Sequence, residues 1–237
     1  LRVKSKADLI EVRLDCLSNL TKSNSSKIIK EIISKKPSPI IMTCRKHAEG
    51  GKFQGTEEER IKILKDCINL NADYIDVELS SGKDVIDNLI QKKGKTKIIV
   101  SYHNFKLVPE NLNQIYDDIK STNYDIIKIA CMANSLKDNL IILDLIKKAK
   151  EEEIDIIAIC MGEKGEISRI LNLAYGSFLT FGFLDKSKES APGQVSCEHL
   201  RYVYRADKLD ANTRIYGLIG NPVSKSKGFI VHNLSFK

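Results

Sequence analysis

Seven short apolar, β-branched runs recur along the chain: DLIEVRL (8–14), PIIMT (39–43), DYIDVEL (73–79), KIIVSY (97–102), DIIKIA (125–130), IDIIAIC (154–160) and SFLTFG (177–182). Their starts lie roughly 23 to 34 residues apart, and the stretches between them carry helical periodicity, as EERIKILKDCINL (58–70) does. Strand and helix alternating in this way predict βα units and a parallel sheet. The strand faces then discriminate between parallel architectures. In the first run Ile10, Val12 and Leu14 point one way, while Leu9, Glu11, Arg13 and Asp15 point the other. The third run repeats the pattern, with Ile75, Val77 and Leu79 opposed to Asp76 and Glu78. A doubly wound sheet usually buries both faces with apolar residues, and no glycine-rich dinucleotide loop follows any run. Charges gathered at the C-terminal ends of one face suit a closed barrel whose inward face opens into a mouth. The expected fold class is therefore α/β, a (β/α)8 TIM barrel. Seven of its strands are visible, and the first strand with most of the first helix is expected upstream of Leu1.

Composition narrows the function classes. A chain of 237 residues holds one large domain, or one domain and a fragment of another. No apolar stretch approaches the roughly 20 residues of a membrane span, and no targeting sequence is visible. The net charge of +7 comes from dispersed lysines interleaved with acids, as in Lys147, Lys148, Lys150, Glu151, Glu152 and Glu153. That pattern reads as a solvated face rather than a nucleic-acid patch, and a modest positive field suits an anionic small substrate. Cys16, Cys44, Cys67, Cys131, Cys160 and Cys197 lie far apart without a Cys-x-x-Cys pair, which reads as reduced, mostly buried thiols. With four histidines and no clustered ligands, no metal site is expected.

In a barrel the chemistry sits at the C-terminal strand ends. Those places hold Glu11, Arg13 and Asp15, then Arg45 and Glu49, Asp76 and Glu78, His103, Lys128, Arg169, and last Ser190 and Gln194. Lys128 lies among Ile126, Ile127 and Ile129 and either snorkels outward or points into an enclosed site. Inside, desolvation and the nearby Arg45 or Arg169 would disfavour its ammonium form, leaving an amine able to attack a ketone. His103 ends the preceding run, as a structural histidine or as a general acid–base. Glu49, in EGGKF, either orients that imidazole or merely precedes a glycine turn. Arg45 and Arg169 suit bidentate binding of a carboxylate, or the surface. SAPGQ (190–194) is a turn by Pro192 and Gly193, with Ser190 and Gln194 able to meet a hydroxyl-rich ligand.

Together the ordered motifs EVR, TCR-x-x-x-EGG, SYHNF, IIKIA, ISR, LTFG and SAPGQ resemble the type I 3-dehydroquinate dehydratases of the shikimate pathway, over roughly residues 1–200. The resemblance implies Lys128 as the Schiff-base lysine, His103 as the general acid–base and Glu49 as its paired carboxylate. It implies Glu11, Arg13, Arg45, Arg169, Ser190 and Gln194 as substrate-binding positions, and Phe105, Met161 and Phe181 as apolar pocket wall. No metal or diffusible cofactor is implied; the substrate is 3-dehydroquinate, with neither nucleic acid nor membrane as partner.

The expected organisation is a dehydratase barrel over 1–206, a linker over 207–213 (DKLDANT) and the start of another domain over 214–237. YGLIGNPVSKSKGFIVHN (216–233) reads as strand, turn and helix, and resembles the opening of shikimate dehydrogenase, with Ser224 and Ser226 as shikimate contacts. Its catalytic residues and NADP loop are expected beyond Lys237, so NADP belongs only to that part. A fusion in this order resembles the bifunctional plant enzymes, which implies a plastid location, otherwise cytoplasmic. Two rival readings remain: an aldolase-like Schiff-base lyase, and a non-catalytic remnant confined to ligand binding or assembly.

Overall fold

A computed structural model of the chain describes residues 7–21, 23–184, 191–220 and 222–236. Six of the seven runs become strands: β1 (Ile10–Arg13), β2 (Ile40–Thr43), β3 (Tyr74–Glu78), β4 (Lys97–Asn104), β5 (Ile126–Met132) and β6 (Ile156–Met161). All pair in parallel and in sequence order, forming one half-barrel sheet. Helices α1 (Ser25–Lys35), α2 (Glu57–Asn69), α3 (Lys83–Lys92), α4 (Leu112–Lys120), α5 (Asp138–Glu151) and α6 (Glu166–Tyr175) follow the successive strands.

Period-two alternation sorts the strand side chains as expected. Ile40, Met42, Ile75, Val77, Ile98, Val100, Ile127, Ile129, Ile156 and Ala158 join the helices in the large core. Ile41, Ile99, Ile126 and Ile157 pack with Leu9 and Tyr74 on the other face, as an apolar floor. One step further along the same face stand Glu11, Thr43, Asp76, Ser101 and Lys128, so the polar layer lies toward the strand C-termini, above the floor. Helix α2 begins with a capping box, Thr56 accepting from the Glu59 N–H and Glu59 accepting from the Thr56 N–H. That fixes its first turn, from which Arg60 reaches back to the strand ends.

The seventh run departs from expectation. Residues 178–181 add no strand to the sheet; the Phe178 N–H donates to the Ile156 carbonyl at 2.7 Å, and a separate two-stranded ladder pairs β7 (Gly182–Phe183) with β8 (Val195–Ser196). Between β1 and residues 178–184 runs a wide groove of about 1010 Å³, floored by Leu9, Ile41, Phe178 and Leu200. After β8 the chain forms a π-helical turn over His199–Val203.

The tail is also partly corrected. Helix α7 (Gly228–Ser235) forms, but 214–220 is not a strand, and Ile219 is 99% exposed. A strand needs a partner ladder, and none faces this stretch among the described residues. Phe229 stacks on Tyr204 with ring centres 5.9 Å apart, and Arg205 donates to the Asn233 carbonyl at 2.8 Å, resting α7 on the π-helical turn.

Candidate active site

Eleven of the residues singled out above line one pocket at the C-terminal mouth: Glu11, Arg13, Arg45, Glu49, His103, Phe105, Lys128, Met161, Arg169, Phe181 and Gln194. Ser190 lies outside the described residues, as does the side chain of Ser224. Ser226 is elsewhere, on the tail, where its hydroxyl accepts from the Gly228 N–H at 3.1 Å.

Lys128 faces inward and is 4% exposed. Its Nζ donates to Asp76 Oδ2 at 2.8 Å, lies 3.4 Å from Glu11 Oε1, and sits 4.5 Å from the centre of the Phe181 ring. Arg45 is equally enclosed. Its Nη1 donates to Asp76 Oδ1, Glu78 Oε1 and Ser101 Oγ at 3.0, 2.8 and 2.9 Å, and its Nη2 to Asp76 Oδ2 at 2.8 Å. The bidentate partner of this guanidinium is thus a carboxylate of the protein itself. Burial alone would push the Asp76 carboxyl up; Arg45 and Lys128 overcome it and hold Asp76 well below the usual carboxylate range.

Glu49 and His103 form the second unit. Glu49 Oε2 accepts from the His103 backbone N–H at 3.1 Å and lies 3.3 Å from its Nδ1. With Nδ1 turned to the carboxylate, Nε2 is the nitrogen left to accept a proton. Burial, then the Arg45 and Lys128 charges, press the imidazole well below its ordinary value, so it stands neutral. Burial raises Glu49, opposed by a hydrogen bond from Ser80. Gly50, at φ 79°, lets the loop pass beneath Phe105: a Cβ there would meet the ring at 2.5 Å.

Among the described residues lining the pocket, Arg13 and Arg169 are the remaining arginines. Arg13 pairs with Asp15 at 2.9 and 2.7 Å, and Asp15 also accepts from the Arg45 and Lys52 amides. Arg169, fully buried on α6, donates to the Pro192 carbonyl at 3.3 Å, which ties the SAPGQ turn to the site. The same carbonyl accepts from the Gly162 N–H at 2.9 Å.

Asp76 and Glu78 stood among the strand-end charges of the sequence without a role; they prove to be the counter-ions of Lys128, Arg45 and Arg60. Their Asp-x-Glu spacing on an inward face was the available signal. Ser80 and Ser101 gave none. The cysteines are free thiols, four of them buried, and burial pushes Cys44, Cys131 and Cys160 up to about 12.

Comparison with known proteins gives a consistent result. A family profile described as type I 3-dehydroquinase matches residues 2–211. A chloroplastic bifunctional 3-dehydroquinate dehydratase/shikimate dehydrogenase of Arabidopsis thaliana is 43% identical over 98% of this chain, which spans 38% of that protein. A 3-dehydroquinate dehydratase of Methanocaldococcus jannaschii is 40% identical over 84% of this chain and 87% of its own. Among solved structures, the type I 3-dehydroquinate dehydratase of Clostridium difficile, holding covalently modified comenic acid, superposes with a TM-score of 0.75 at 30% identity, covering 85% of this chain and 83% of that one. The matched span and these identities show that the chain belongs to the type I 3-dehydroquinase family.

Proposed function

We propose that this chain dehydrates 3-dehydroquinate to 3-dehydroshikimate through a Schiff base on Lys128, within the shikimate pathway to chorismate and the aromatic amino acids. One observation carries the reading: the Lys128 amine is enclosed at the mouth of the half-barrel, in the same pocket as the Glu49–His103 pair. Lys128 Nζ adds to the C3 ketone, and loss of water gives an iminium. His103 Nε2, neutral and oriented through Nδ1 by Glu49, removes a C2 proton as the electron pair moves into the iminium. The resulting enamine expels the C1 hydroxyl, which leaves as water with the proton from His103. Hydrolysis of the imine frees the product and restores the amine. The iminium is the electron sink, so the scheme calls for neither metal nor diffusible cofactor.

Arg13 and Arg169, with Gln194 and Ser190, are assigned to the substrate carboxylate and hydroxyls, and Phe105, Met161 and Phe181 to the apolar wall. Arg45, held by Asp76 and Glu78, sets the charge around Lys128. The fold proposed is a (β/α)8 barrel over residues 1–206. A linker over 207–213 and the start of a shikimate dehydrogenase domain over 214–237 are supported by the Arabidopsis similarity, which continues through the tail. Its chloroplastic label supports a plastid setting.

The test is borohydride reduction of the full chain with 3-dehydroquinate, followed by peptide mass spectrometry. The expected adduct is on Lys128, and Lys128→Ala abolishes both adduct and turnover. An adduct on any other lysine, or turnover by the variant, sinks the scheme.

A further inference from the structure

Glu49 is held at both oxygens. While Oε2 serves His103, Oε1 accepts a hydrogen bond of 2.7 Å from the hydroxyl of Ser80, in the turn after β3. Ser80 is itself fixed. Lys46 Nζ donates to its carbonyl at 2.9 Å and lies 3.4 Å from its Oγ. The adjoining Ser81 hydroxyl accepts from Arg60 Nη2 at 2.7 Å, and Arg60 is anchored by its ion pairs with Glu57 and Glu78. The turn Leu79–Ser81 is therefore tied to the β2–α2 loop by Ser80 and to α2 by Ser81.

We infer that Ser80 is a positioning residue for the Glu49–His103 pair: its hydroxyl fixes the carboxylate rotamer that leaves Oε2 aimed at the imidazole. A carboxylate free to rotate about its last torsion would share its oxygens among Ser80, the His103 amide and Nδ1 without preference. Pinning Oε1 removes that freedom, and a hydrogen bond to an ionised acceptor is among the stronger kinds. The same bond opposes the neutralisation of Glu49. Burial and the nearby Glu78 raise its carboxyl, while Ser80, Arg45 and the His103 amide lower it. Losing the hydroxyl raises Glu49 further, so that the histidine loses an ionised partner at a higher pH than before.

The inference rests on the catalytic reading of Glu49 and His103, so the deciding measurement is one that needs no turnover. The imidazole nitrogens of His103 are followed by NMR against pH in the full chain, in Ser80→Ala and in Ser80→Thr. Ionisation of Glu49 appears as an inflection in the His103 shifts. In Ser80→Ala that inflection moves to higher pH, and in Ser80→Thr it returns toward wild type. An inflection that stays where it was in Ser80→Ala, with unchanged thermal unfolding, overturns the positioning role. Turnover of the same proteins adds a second reading: kcat falls about tenfold in Ser80→Ala, the order expected for one hydrogen bond to a charged group, with KM unchanged. His103→Ala, measured alongside, tests the catalytic reading itself. If it retains full turnover that reading fails, whatever the titration says of Ser80.

Discussion

Lys128 and Arg45 share the carboxylate of Asp76 in a space closed to solvent, with Asp76 fully buried. Such an arrangement is retained through mutual compensation: removing one partner of a buried pair leaves uncompensated charge, at a cost of about 3–5 kcal/mol. Asp76→Asn is accordingly expected to lower the unfolding free energy by about 3 kcal/mol at neutral pH, read by urea denaturation. The pH dependence has a definite sign. The folded carboxyl lies below its unfolded value near 3.9, so the unfolded chain binds the proton first as pH falls. The contribution of Asp76 is thus complete above that value and lost on acidification, and the gap between wild type and Asp76→Asn must narrow as pH falls through about 4. A gap that stays constant or widens shows that Asp76 does not carry the ionic load. Catalysis has its own window. With His103 pressed down and Glu49 raised, the acid limb of kcat/KM is expected to follow the carboxylate rather than the imidazole, and to lie above the ordinary glutamate value of 4.5. A limb at or below 4.5 would mean that Glu49 is not raised.

Helix α2 connects local sequence to the site. Thr56 and Glu59 close its first turn, and Arg60, next in the chain, donates to the Cys44 carbonyl at 2.9 Å and pairs with Glu78 at 2.6 Å. Thr56→Ala removes a cap worth about 1 kcal/mol. The expected result is that loss in urea denaturation with KM unchanged; a raised KM would show that the first turn of α2 sets the position of Glu78. This element was legible because 3.6-residue periodicity is local; its capping box emerges only in the structure. The six main strands were legible for the same reason, as short apolar, β-branched runs, two of which alternate with charges. What the sequence left open was pairing across distance. Asp76 stands 31 residues from Arg45 and 52 from Lys128, and Ser80 stands 31 from Glu49. Each contact exists because the sheet gathers the C-terminal ends of β2, β3 and β5 at one mouth, which no local pattern encodes. SFLTFG illustrates the opposite failure. Its composition is that of a strand, but strand character is realised only where a ladder is offered, and here, among the described residues, a single carbonyl of β6, that of Ile156, accepts from the Phe178 N–H and the Ser177 hydroxyl.

At the scale of the whole sheet, hydrogen bonding is graded from centre to edge. Strands β4 and β5 are paired on both sides, whereas β1 is paired only with β2 among the described residues. The Ile10 N–H donates to the Pro39 carbonyl, so by alternation the amides of Glu11 and Arg13 face the groove. Glu11, beside Lys128, and Arg13, assigned to the substrate, therefore lie on the strand whose outer backbone groups depend on water or on whatever fills that groove. Local opening requires the loss of few buried contacts at such an edge and many at the centre. Native-state hydrogen exchange on the full chain is expected to give slow exchange at Ile99, Ile127 and Ile129, near the limit of global unfolding, and much faster exchange at Glu11 and Arg13. Equal protection would show that the β1 edge is covered in solution, and would remove edge opening as a source of play in the Glu11–Lys128 contact. The predicted gradient would tie site order to edge order: a ligand bridging Arg13 and Lys128 should then slow exchange at Glu11 more than at Ile99, since only the β1 contacts are left for it to fix.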